Sequence, residues 1–111
     1  MAFYLVTAKA KPGRLDDLEQ RLSREEFRPL RPFGEALSLS LNGARLQPDG
    51  TAVWEEEDYC RPPLAEERAA VLDHCFDDIA VKPVERGAAW RKIAALPRLF
   101  PGLVEHPGVS R

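Results

Sequence analysis

Four consecutive acidic residues, Glu55 to Asp58, follow a short apolar run that begins at Thr51. A carboxylate acts as a general base when its surroundings raise its pKa toward neutrality. If strand pairing continued through this acidic run, at least one carboxylate would point into a covered face, where an unpaired charge costs several kcal/mol. Two interpretations stay open: the strand emerges into solvent near Glu55, or Glu55 meets a basic partner such as Arg45 in a cavity and is a catalytic base.

His74 is one of two histidines and falls near the end of a predicted helix, next to Asp73. It is a candidate catalytic base, although a cation at a helix C-terminus also complements the helix dipole. The ligand-type side chains around it are too crowded to match an established metal spacing. No glycine-rich phosphate loop is present either. We therefore expect no metal site and no cofactor.

Two aromatic residues and one arginine are the candidates for substrate binding. Tyr4 and Trp54 lie in predicted strands, and Arg45 lies between them in the chain. The aromatic pair either lines a pocket on a sheet face or packs in the core or a dimer interface, where large aromatics also concentrate. A guanidinium such as that of Arg45 suits an anionic substrate or a buried carboxylate.

Composition limits the class of protein. The chain has 111 residues, 44% of them hydrophobic and 31% charged, as in one ordinary globular domain spanning residues 1–111. The net charge of -2 argues against nucleic-acid binding, and the apolar stretches are too short for a membrane span. With no signal-peptide pattern and only two cysteines, we expect a cytoplasmic protein, with free thiols favoured over a disulfide.

The first half of the chain predicts a strand, a helix and a hairpin. Residues 3–8 are apolar on both alternating faces, which is typical of a central, covered strand. Leucines at helical spacing follow from Leu15 and stop at Pro29. Alternating leucines at residues 37–41 predict the second strand, with a bulge near Asn42, and residues 48–50 predict the turn to the third strand.

The second half predicts a helix, an edge strand and a tail. An apolar stripe begins after Pro62 and Pro63, which suit the start of a helix. Ile79 to Val84 predicts the last strand, and Pro83 places it at an edge because proline cannot donate to a ladder. A short helix over residues 88–96 precedes an extended proline-rich tail over residues 96–111.

This order of elements predicts an α+β, ferredoxin-like βαββαβ antiparallel sheet with helices on one face. The first and third strands are then central. Two helices cover only one face, so the other, to which we assign Tyr4, Val6 and Trp54, needs a cover. Either the C-terminal helix lies over it or a second copy of the chain does, and we expect a homodimer.

Two segments resemble the dimeric α/β-barrel superfamily, particularly its antibiotic-biosynthesis-monooxygenase-like group. They are YLVTAKAKPGR at residues 4–14 and VWEEED at residues 53–58. The resemblance implies a cofactor-independent, oxygenase- or isomerase-like enzyme acting on a small molecule. The first strand offers Thr7 and lacks the asparagine of haem-degrading members. The alternative is a non-catalytic homodimeric binding or assembly domain, and whether the chain is an enzyme stays open.

Overall fold

The computed structural model of the protein describes residues 2–103. The strands are β1 (Ala2–Ala10), β2 (Arg45–Leu46), β3 (Thr51–Asp58) and β4 (Phe76–Val84). The helices are α1 (Leu15–Ser23), α2 (Gly34–Asn42), α3 and α4 (Ala88–Ile93). Helix α3 runs through three consecutive segments, Ala65–Glu67, Arg68–Leu72 and Asp73–Cys75, of which the middle one is a π-helix. His106 and the second half of the predicted tail lie outside the described residues.

The four strands form one antiparallel sheet in the order β2-β3-β1-β4. Val6 in β1 pairs with Trp54 on one side and with Val81 on the other, so β1 is central. Pro83 lies in β4, at the edge of the sheet, where its missing N–H breaks no second ladder. The α+β, ferredoxin-like architecture predicted from the order of elements is confirmed.

The predicted second strand is wrong, because residues 37–41 belong to helix α2. Leu37 and Leu41 are four residues apart, and both are fully buried on one face of this helix. Leucines at every second position fit a strand, but the first and last of these three, Leu37 and Leu41, also lie on one face of a helix. No bulge follows at Asn42, because the helix ends there and Gly43 donates its N–H to the Leu39 carbonyl at 3.2 Å. The predicted turn is confirmed, since Gln47 donates its N–H to the Thr51 carbonyl at 2.9 Å.

One face of the sheet, which we call the core face, carries Val6 and Trp54 and is covered by the chain's own helices. Both residues are fully buried, with buried leucines of α1 and α3 in the same cluster. The Trp54 ring lies 5.4 Å from that of Phe76. The assignment of Tyr4, Val6 and Trp54 to a face that the helices leave open is therefore wrong. The reason is that α1 and α3 pack on the side of β1 that carries Val6, rather than on the side that carries Leu5.

The opposite face of the sheet, the back face, carries Leu5 and Val53. Helix α4 lies over β3 on this side, where Val53, Ala89 and Ile93 are buried. Toward β4, Phe3 and Leu5 are only half-buried. The C-terminal helix thus covers one part of the back face, as one of the two sequence-based alternatives predicted. None of the described helices has the length and apolarity that a membrane crossing requires.

Candidate functional site

A cavity of about 460 Å³ lies between α2, the back face of β3 and α4. It exists because β2 pairs with β3 over only two residues, and α2 is the neighbour of the rest of that strand. We call this cavity the cleft. Its lining combines apolar, acidic and basic side chains: Ala36, Leu39, Ser40, Gly43, Arg45, Glu55, Glu57, Arg86, Trp90 and Ala94.

Glu55, a predicted catalytic base, lies in the cleft wall and binds the start of helix α4. Its carboxylate accepts the N–H groups of Gly87 at 2.8 Å, Ala89 at 2.9 Å and Trp90 at 3.4 Å. These are N–H groups that a helix terminus cannot satisfy within itself, and the helix dipole favours an anion there. Among residues 2–103, buried Glu55 has no cationic partner, and strand β3 supplies its carboxylate as a cap for the helix.

Arg45, a predicted substrate-binding residue, performs the complementary task at the other end of α4. Its Nη1 donates to the Leu96 carbonyl at 2.8 Å and to the Ala94 carbonyl at 3.4 Å. These carbonyls follow the last turn of the helix, where a cation is favoured. Within residues 2–103, no ion pair joins Arg45 to Glu55. The two side chains instead hold α4 on the sheet from opposite ends.

A smaller cavity of about 150 Å³, which we call the chamber, adjoins the cleft. Ala36 and Glu57 line both cavities. The Tyr59 hydroxyl donates to Glu57 Oε2 at 3.1 Å. The chamber is more acidic than the cleft, and its remaining lining residues are Pro32, Phe33, Asp58, Tyr59, Cys60, Glu66 and Glu67.

Three buried carboxyl groups lie next to one another at the chamber, and two of them are part of its lining. Glu56, Glu67 and Asp58 are 1%, 0% and 4% exposed. Glu67 lies in the middle, close enough that a proton on one carboxyl group would form a hydrogen bond to its neighbour. At the inner end, the Trp54 indole N–H donates to Glu56 Oε1 at 2.9 Å. We call these three residues the carboxyl chain.

The carboxyl chain is stable only if it holds protons. Glu56 Oε2 and Glu67 Oε2 have no N–H or hydroxyl donor among the described residues. Two ionised carboxylates could not face each other in a buried site, but a proton between them supplies the missing donor. Burial, and then the nearby charges of Glu67 and Asp58, raise the pKa of Glu56 well above its ordinary value, against the opposing effect of the Trp54 hydrogen bond.

Asp58 is the ionised end of the carboxyl chain. Burial alone would raise its pKa, but hydrogen bonds from Glu67 and from three backbone N–H groups outweigh burial and lower it. Asp58 Oδ2 accepts the N–H of Leu64 at 2.6 Å and that of Cys60 at 3.1 Å. These bonds hold Leu64 in a left-handed conformation, with φ of 65°, that a branched residue rarely adopts.

Glu67 is poised between the two protonation states. Burial, and then the hydrogen bond to Asp58, raise its pKa to about 7. On the side of the chamber, the Cys60 thiol has two acceptors within reach, Glu66 Oε1 at 3.4 Å and Glu67 Oε1 at 3.6 Å. A carboxyl group with such a pKa can both accept and return a proton near neutral pH.

The Asp58 and Glu67 carboxyls and the Cys60 thiol also lie within 4.8 Å of one another, a spacing that a metal ion could bridge. Their present contacts do not favour a metal. Asp58 Oδ2 is committed to two backbone N–H groups, and burial raises the pKa of the Cys60 thiol to about 12, whereas a metal ligand must be a thiolate. We therefore assign the cluster to proton chemistry.

The remaining sequence-predicted site residues lie away from these cavities. His74 is exposed near the end of α3, Tyr4 is half-buried on the core face, and Trp54 is in the core. Of the five candidates, the structure brings only Glu55 and Arg45 into the cleft wall. Trp54 contributes through its bond to Glu56 rather than by lining a pocket.

Sequence analysis missed Glu67 and did not single out Glu56, but both left a signal. Glu56 lies two residues after Trp54 and thus shares its face of the strand. Glu67 lies between Leu64 and Val71 at helical spacing, on the buried stripe of α3. In both cases the sequence signal is a carboxyl side chain at the spacing of the buried apolar residues, two positions apart in the strand and three to four apart in the helix.

Comparisons with protein-family models, with curated proteins and with solved structures find no match to this chain.

Proposed function

We propose that the protein is a small, cofactor-independent enzyme of isomerase-like type, in which Glu67 moves a proton on a small molecule bound in the cleft. The observation that carries this proposal is the position of the carboxyl chain. Its middle member, Glu67, lines the chamber. The chamber shares the lining residues Ala36 and Glu57 with the cleft, which has the volume of a ligand site.

The proposed reaction needs only a base that also serves as an acid. Ionised Glu67 accepts a proton from a carbon next to a carbonyl group, and the C–H electron pair moves into an enolate. Glu67 then returns the proton to a different atom of the same molecule, which completes an isomerisation without a net gain or loss of protons. The reacting end of the substrate replaces the Cys60 thiol against Glu67 Oε1.

An oxygenase-like reaction would begin with the same proton transfer, after which the enolate would react with dioxygen as co-substrate. Product analysis separates the two reactions, because only the second adds oxygen atoms. The isomerase-like form is the simpler proposal, since the carboxyl chain supplies its acid and its base.

Proton transfer can be measured before the natural substrate is known. A panel of small ketones and oxo acids is incubated with the protein in deuterium oxide, and loss of C–H signal is followed by proton NMR. We expect catalysed exchange on at least one compound. Glu67→Gln should reduce it at least 100-fold, whereas Glu35→Gln, the same change at an exposed residue outside the described lining of both cavities, should leave it within about 2-fold. Equal exchange by both variants, or no exchange on any compound, would contradict the proposal.

We also propose that the protein forms a homodimer through the back face. Support comes from Phe3, Leu5 and Val84, which are only half-buried on the part of this face that α4 does not cover. Light scattering should give about twice the chain mass, and Leu5→Lys should give the monomer mass with an unchanged circular dichroism spectrum. A monomer for the unmodified protein would refute this assembly.

The free thiols of Cys60 and Cys75 support a further proposal, that the protein works in the reducing cytoplasm. Fractionation of cells that produce a tagged copy tests it, and recovery of the protein outside the cytoplasm would contradict it.

A further inference from the structure

The two adjoining cavities differ in where their basic residues lie. The cleft contains the guanidinium groups of Arg45 and Arg86 together with the carboxyl groups of Glu55 and Glu57, and the carboxylate of Glu55 is already bound to three backbone N–H groups of α4. The chamber contains no basic residue in its described lining and several acidic ones, among them Asp58 and Glu66. A ligand that spans both cavities therefore meets guanidinium groups at the cleft end only.

Arg45 has a donor that the described residues leave unused. Its Nη1 is committed to the carbonyls at the end of α4, which fixes the guanidinium in place. Its Nε is buried and has no acceptor within residues 2–103. A buried donor without an acceptor costs about 1–3 kcal/mol, and an anionic oxygen removes that cost where the Arg45 side chain shifts to expose Nε to the cleft.

Arg86 supplies a second cation to the same cleft. Its guanidinium lies 5.8 Å from the centre of the Phe3 ring, a contact that orients an otherwise exposed side chain. A carboxylate between Arg45 and Arg86 would gain charge-assisted hydrogen bonds of the kind that guanidinium groups favour.

We infer that the substrate carries a carboxylate, which Arg45 and Arg86 hold in the cleft, and that its neutral, proton-donating end enters the chamber. The second half of this inference rests on the proposed role of Glu67. Asp58 and Glu66 repel a carboxylate in the chamber, whose described lining has no basic residue to offset them, so the cleft with its two arginines is the favoured place for the carboxylate end. A small oxo acid has both required parts, a carboxylate and an acidic C–H beside a carbonyl.

The test compares two probes of nearly equal shape. The first, 4-oxopentanoate, has a carboxylate, and the second, hexane-2,5-dione, has a methyl ketone in its place. Binding is followed by NMR through the indole N–H of Trp90, which lines the cleft, and Trp90→Phe assigns that signal. We expect 4-oxopentanoate to bind at least 10-fold more tightly, with an affinity that falls as sodium chloride is added.

Three variants test the assignment to the two arginines. Arg86→Gln and Arg45→Lys, which keeps the charge but removes Nε, should each weaken 4-oxopentanoate binding about 5- to 10-fold and leave the dione unchanged. Arg91→Gln makes the same charge change on an exposed residue of α4 outside the described lining and should change neither affinity more than 2-fold. Thermal unfolding of each variant confirms that the fold is retained.

The outcomes separate this inference from the proposed function. Equal affinity for the two probes, no binding of 4-oxopentanoate up to 20 mM, or equal losses in Arg91→Gln and Arg86→Gln would overturn the inference. Deuterium exchange that depends on Glu67 could still occur on a neutral ketone, and the proposed function would then stand alone. Arginine-dependent binding without any exchange would support the carboxylate site and refute the proton transfer.

Discussion

Replacing Glu55 with glutamine should destabilise the protein by detaching the start of α4 from the sheet. The carboxylate accepts three backbone N–H groups, two of them at 2.9 Å or less. Glutamine has nearly the same shape but carries one N–H₂ group, which turns one acceptor into a donor that faces another donor. It also removes the negative charge that the helix dipole favours.

The expected loss can be worked out from these contacts. Removing the charge–dipole interaction costs about 1 kcal/mol, and leaving one largely buried N–H without an acceptor costs about 1–3 kcal/mol. We expect Glu55→Gln to lower the free energy of unfolding by about 2–4 kcal/mol. For a domain of this size, that corresponds to a fall of about 8–16 °C in Tm.

Urea denaturation and amide hydrogen exchange together provide the assay. Glu57→Gln is the matched control, because Glu57 lies two residues along on the same face of β3 and its carboxylate accepts, among the described contacts, only the exposed Tyr59 hydroxyl. The amides of Ala89 and Trp90 should lose protection in Glu55→Gln and keep it in the control. The reasoning is refuted if the two variants unfold at the same urea concentration, or if the Ala89 amide stays equally protected in both.

Three further outcomes follow from the buried groups. Because the folded pKa of Glu67 is raised to about 7 from an ordinary value of 4.5, its contribution to stability is complete below about pH 4.5 and is lost as pH rises through 7. The free energy of unfolding measured in urea should therefore fall by about 2 kcal/mol between pH 5 and pH 8. An equally large fall with pH in Glu67→Gln would contradict this. Gly34→Ala should lower the free energy of unfolding by at least about 2 kcal/mol in thermal unfolding, because the added methyl group would collide with the carbonyl oxygen of Phe27. Alanine is otherwise the better helix former, so a neutral or stabilising result would refute the close approach of Gly34 to Phe27. Trp54→Phe should lower the free energy of unfolding in urea by about 3 kcal/mol. It removes core volume and, among the described contacts, the only side-chain N–H that reaches Glu56. A loss below about 1 kcal/mol would argue against the hydrogen bond from Trp54 to Glu56.

The sheet could be predicted because its signals are independent of one another. Residues 3–8 are apolar on both faces, and β1 is central; Pro83 lacks a donor, and β4 lies at an edge. The second strand could not be predicted in the same way. Its three alternating leucines satisfy two periods at once, and only packing against the rest of the chain selects the helix.

The site was harder to predict because the energetic argument assumed charged carboxylates. An unpaired charge is too costly to bury, and this reasoning favours a strand that emerges into solvent near Glu55. Glu56 and Glu67 avoid burying a charge because they hold protons, whereas the buried charge of Glu55 is stabilised by hydrogen bonds from backbone N–H groups. Protonation and backbone contacts both depend on residues far apart in the chain, so a linear pattern does not contain them.

The protonation of Glu67 can be observed directly by ¹³C NMR of the carboxyl carbons, titrated from pH 4 to pH 9 and assigned with Glu67→Gln. We expect the Glu67 carboxyl to change state near pH 7, with Glu56 still protonated when it does. A Glu67 carboxyl that is already ionised at pH 5 would show that the carboxyl chain holds no exchangeable proton near neutrality, and the proposed acid–base role would be lost.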